Sequence, residues 1–110
     1  MINISISCNE YGCISEITAS GHSGQKIRGF DVVCAAVSVL LRTAGELVSR
    51  EPGVEFTADA GEPGNMFLRI ESCRAEKFEW LRGVSEFLIT GIEGIQKEFP
   101  NNCSFELNDF

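Results

Sequence analysis

Twice along this 110-residue chain, two short runs of alternating apolar and polar residues give way to a long, proline-free stretch with apolar residues at helical spacing. In the first half Ile2, Ile4, Ile6 and Cys8 alternate with polar neighbours, Asn9-Glu10-Tyr11-Gly12 has turn composition, and Cys13 to Ala19 resumes with Ile17 and Ala19 on one face. Alternation with period two is the signature of half-buried strands, so these runs form a hairpin. Asp31 is a good helix N-cap, and a helix is expected from Val32 to about Arg50, where Glu51-Pro52-Gly53 stops it. Val54 to Asp59 and Met66 to Ser72 form a second hairpin around Gly61-Glu62-Pro63-Gly64-Asn65. Phe78, Leu81, Phe87 or Leu88, Ile92, Ile95 and Phe99 mark a second helix between about Ala75 and Phe99, ended by Pro100; Cys103 to Leu107 reads as a short last strand at a sheet edge. The order ββαββα plus β predicts an α+β fold of two layers, a mainly antiparallel sheet with both helices on one face. Residues 1–110 are enough for one core, and a single domain is expected.

Sixteen acidic side chains against nine basic give a formal charge of −7. Such a field repels nucleic-acid phosphate, which argues against direct nucleic-acid binding, and it speeds encounter with basic polypeptides. Met1-Ile2-Asn3-Ile4-Ser5-Ile6 lacks a basic flank before a long apolar run, so no signal peptide is evident. The longest apolar stretch, Val32 to Leu41, is interrupted by Ser38 and is short for a membrane span. A cytoplasmic protein with no membrane association is the expectation. The five cysteines are odd in number and scattered, with no Cys-x-x-Cys pair and one histidine, which favours neither a disulfide framework nor a metal site. Cys8, Cys13, Cys73 and Cys103 sit in or beside predicted strands and read as inert small hydrophobes.

Cys34 is different. It lies inside the predicted start of an apolar helix, twelve positions after His22, and the two are joined by a stretch with glycines at 24 and 29. A cysteine nucleophile needs a base within reach and surroundings that favour thiolate. With Asp31 as the cap, Cys34 falls in the first turn, where the helix dipole stabilises an anion by roughly 0.3–1 kcal/mol. That is less than one pKa unit, about 1.4 kcal/mol, so a protonated imidazole must supply the rest, and His22 is the one candidate. Asp31 either caps the helix or orients the imidazole as a third triad member. A carboxylate beside a thiol disfavours thiolate, which favours the cap. Ser38 follows Cys34 by four on the same helical face, where it either bonds within the site or back-bonds to a helix carbonyl. Gly21, Gly24 and Gly29 either relieve sterics in turns or permit a lid to move.

The residues Gly21-His22-Ser23 followed by Gly29-Phe30-Asp31-Val32-Val33-Cys34-Ala35-Ala36-Val37-Ser38 resemble the signature of the bacterial ribosomal-processing cysteine protease family, Prp. The resemblance extends over essentially the whole chain in size, acidity, element order and His-to-Cys spacing. Ser23 stands where the family often has alanine, and Phe30 falls at a variable position. The resemblance implies a catalytic dyad of His22 and Cys34, with the motif's aspartate and serine on Asp31 and Ser38. It also implies a mobile loop from Ser23 to Phe30 over the active site, hinged at Gly21, Gly24 and Gly29. Further, it implies a cytosolic, cofactor-free homodimer. That enzyme would remove the N-terminal extension of a basic large-subunit ribosomal protein, cutting after paired phenylalanines. A competing reading is a noncatalytic ribosome-assembly adaptor that binds a basic ribosomal protein through its acidic surface. A thiol redox protein is a weaker alternative, because no resolving cysteine lies near Cys34 in sequence.

Overall fold

The computed structural model describes residues 1–21, 28–59 and 65–109, and only the backbone of residues 28–31. The elements follow the expected order: β1 (Ile2–Cys8), β2 (Ile14–Ser20), α1 (Arg28–Ser49), β3 (Val54–Asp59), β4 (Met66–Cys73), a 3-10 turn (Ala75–Lys77) leading into α2 (Phe78–Glu98), and β5 (Cys103–Asn108). The strands form one five-stranded sheet in the order β3-β4-β2-β1-β5. Three of its four pairings are antiparallel; β5 lies parallel to β1, with Ile2 opposite Cys103 and Ile6 opposite Leu107. The last strand is therefore at an edge, as the sequence indicates.

The alternation along β1 buries Ile2, Ile4, Ile6 and Cys8 and leaves the intervening residues on the other face. The turn to β2 is closed by the Asn9 side chain, whose Oδ1 accepts from the amides of Tyr11 at 2.9 Å and Cys13 at 3.1 Å, while Gly12 takes φ 75°. A register shift at Ser7/Cys8 then turns Ile14 inward beside Ile17, where strict alternation would have pointed Ser15 inward.

Both helices bury one stripe against this same face. On α1 the stripe is Val33, Val37, Leu41, Ala44 and Val48; on α2 it is Leu81, Ser85, Leu88 and Ile92. Ser85 is the one buried polar residue among the described side chains, and it ties α2 to the sheet. Its Oγ accepts from the Ile14 amide at 2.8 Å and donates to the Leu81 carbonyl at 2.7 Å. The two-layer α+β architecture, with both helices on one face, matches the expectation.

Three details differ from the sequence reading. First, α1 starts at Arg28, three residues before Asp31. Second, of the pair Phe87/Leu88 it is Leu88 that is buried, while Phe87 is 71% exposed. Third, α1 from Val32 to Ser49 is long and apolar enough by composition to cross a bilayer, contrary to the short stretch expected. Its buried stripe nevertheless packs on the sheet, as a core helix does. The outer sides of the helices are also apolar: Val32 and Val39 are exposed, and a groove of about 520 Å³ between α1 and α2 is lined by Leu40, Leu47, Trp80, Val84 and Phe87 among others.

Candidate active site

Four of the five cysteines sit on or beside strands, and only Cys34 is carried by a helix. Cys8, Cys13 and Cys103 are buried, and Cys73 is half-buried at the end of β4. Burial is the chief cause that pushes all four of these thiols above their ordinary range. For Cys8 the charge of Asp109 adds to it; for Cys73 Glu76 adds and Lys77 partly offsets. A thiol held protonated is a poor nucleophile, and Cys13 in addition donates to the Phe78 carbonyl at 3.3 Å.

Cys34 is half-buried and packs against the main core cluster, as does Met66 at the start of β4. Counting from Arg28, it is the seventh residue of α1, not the third of a helix capped by Asp31. The free amides and the dipole act within the first turn, so they contribute less at Cys34 than the sequence reading assigned. Asp31 is correspondingly the fourth helical residue, not the N-cap. An acidic residue is favoured there by the dipole without being a cap. Gly29 falls on the second residue of the helix, inside it and not in the loop. Helical spacing places positions 31, 34 and 38 on one stripe, and Ser38 is exposed.

Gly45, three helical turns beyond Cys34, shares that side of α1. A β-carbon on Gly45 would lie 3.8 Å from Leu68 Cδ1, so this side faces β4, away from the Leu40 and Leu47 side that meets α2. Gly21 is the last described residue before His22. Its φ is 96°, and a β-carbon there would overlap the Met1 carbonyl oxygen. His22 and Gly24, both assigned to the site from sequence, lie outside the described residues, as does the Asp31 side chain. Among the described residues no group of three or more His, Cys, Asp or Glu side chains is placed to hold a metal ion. Sequence reasoning missed the α1–α2 groove, because helical spacing alone left Phe87 and Leu88 undecided.

The sequence profile described as Cysteine protease Prp matches residues 1–104. No curated protein matches significantly. Among solved structures, SMU.848 from Streptococcus mutans superposes with TM-score 0.81 at 22% identity, covering 100% of this chain and 96% of that one. The essential ribosomal processing protease Prp from S. aureus in complex with a substrate peptide gives TM-score 0.80 at 16% identity, covering 98% of this chain and 100% of that one. The same protease with a covalently linked product peptide gives 0.79 at 17% identity, with coverages of 98% and 100%. At these identities the superpositions establish the fold, and the profile establishes kinship: from Met1 to Ser104 this chain belongs to the Prp family of cysteine proteases.

Proposed function

We propose that this enzyme is an endopeptidase that removes the N-terminal extension of a basic large-subunit ribosomal protein, with Cys34 and His22 as its catalytic dyad. Cys34 Sγ attacks the scissile carbonyl while His22 takes the thiol proton and returns it to the departing amine. Water then hydrolyses the thioester, with the imidazole acting as base. Asp31 and Ser38 support the dyad from the same helical stripe, and Gly21 and Gly24 hinge the segment that carries His22. The observation that carries this reading is that Cys34 alone among five cysteines sits on a helix, half-exposed, in a chain of the Prp cysteine protease family. The net charge of −7 suits a basic substrate. The reaction needs no cofactor, and the protein acts in the cytoplasm as a homodimer. The exposed apolar face of α1 and α2 supports the last point, because Phe87 stands beside the groove and knob next to hole is what a two-fold interface uses.

Iodoacetamide labelling near neutral pH, read by mass spectrometry of the five cysteine-bearing peptides, separates this enzyme from a binding adaptor. Cys34 labels much faster than the other four, and a His22→Ala substitution slows it. Uniform slow labelling of all five would favour the adaptor.

A further inference from the structure

The sheet ends on one flank at β3, which has no partner on its outer edge among the described residues. Inward-facing positions of β3 lose their cover along the strand: Val54 is buried, Phe56 half-buried and Ala58 exposed. The helical layer therefore does not roof the end of β3. Val48 of α1 packs with Val54 at the beginning of β3, and Gly45 faces Leu68, the partner of Ala58. Going back along α1 from there, Cys34 comes a further eleven residues on, about 16 Å of helix. Cys34 therefore lies toward the end of the sheet at which β3 finishes, on the side of α1 turned away from α2. The thiol and the outer edge of β3 share one flank of the molecule.

We propose that the substrate binds in extended form as an added strand on the outer edge of β3, which delivers the scissile bond past the strand's end to Cys34. An edge strand presents alternate amides and carbonyls with no partner, and an extended peptide satisfies them through its own main chain. Alternate side chains of the added strand point inward, over the uncovered apolar surface at Phe56 and Ala58, where a large apolar side chain gains burial. The exposed carboxylate of Glu55 on the same strand suits lysine or arginine at another substrate position. The direction toward Cys34 rests on the nucleophile assignment above; the strand pairing does not.

The test uses full-length Cys34→Ala protein and a lysine-rich peptide containing two adjacent phenylalanines. On saturation with peptide, hydrogen exchange slows in Val54–Asp59 and is unchanged at the other edge, Cys103–Asn108. Methylating peptide amides one at a time weakens binding about tenfold at every second position along the paired stretch and little at those between. Absence of saturable binding, protection of Cys103–Asn108 or of the α1–α2 groove instead, or an N-methyl effect without alternation would overturn the proposal. Cleavage of the peptide by Cys34→Ala protein would refute the nucleophile assignment alone, and the exchange data would still decide the pairing.

Discussion

Gly21 follows β2 at φ 96° with its α-carbon turned onto Met1, so closely that a β-carbon would overlap the Met1 carbonyl oxygen. The residue that follows it is His22, so the direction in which the chain leaves the sheet is set where β1 begins. A left-handed backbone costs an L-residue about 1–3 kcal/mol, and the overlap adds to that. Gly21→Ala therefore lowers the thermal midpoint and reduces peptide cleavage more than the loss of folded protein accounts for. Calorimetry and a rate measurement well below the midpoint check both halves. Unchanged activity would show that the exit of β2 does not govern the placement of His22.

The Ser85 hydroxyl holds the buried Ile14 amide against α2, and removing it strands that amide away from water. Ser85→Ala is expected to cost about 1–3 kcal/mol in chemical denaturation. Ser49→Ala, which removes an exposed bond to the Glu46 carbonyl, changes stability by no more than about 0.5 kcal/mol. Equal effects from the two would mean that the buried pair is not what joins α2 to the sheet.

Folding holds the thiols of Cys8, Cys13, Cys73 and Cys103 above their ordinary value of 9.0, chiefly by burial. The unfolded chain gives up these protons at lower pH than the folded one, so unfolding becomes easier as they ionise. Their contribution to stability is complete below 9.0 and is lost as pH rises through the higher folded values. The urea midpoint is accordingly flat from neutrality to about pH 8 and falls beyond it. Replacing Cys103 with alanine flattens that fall even though it lowers stability at neutral pH.

The elements of this fold were largely legible because β1 alternates strictly and the helices keep one apolar stripe. Ile2, Ile4, Ile6 and Cys8 could face only one way, and Val33, Val37, Leu41, Ala44 and Val48 could share only one side. The start of α1 was not legible: an aspartate is equally at home as a cap and inside the first turn, so Asp31 marked the wrong residue. The parallel pairing of β5 with β1 was not legible either, since Cys103–Asn108 carries no signal naming its neighbour. For the candidate site, residue type and spacing propose Cys34 and His22, and His22 lies outside the described residues. Which side of α1 the thiol occupies emerged only when Gly45 was seen against Leu68.

The apolar groove between α1 and α2 carries the prediction for assembly. Phe87 is 71% exposed at its rim, and Phe87→Arg would bring a charge to the centre of a two-fold contact without touching the core. Sedimentation velocity is expected to show a dimer for the unaltered protein and a monomer for Phe87→Arg, with unchanged circular dichroism. A dimer that persists in the variant would place the interface on another face.

Cleavage of a basic peptide bearing paired phenylalanines, followed for the unaltered protein and for Cys34→Ala, Cys34→Ser and Cys73→Ala, tests the central claim most directly. The account predicts that both Cys34 variants fold and lose cleavage by at least about 1,000-fold, while Cys73→Ala retains it. A Cys34→Ala protein that cuts the peptide at the original rate would contradict it.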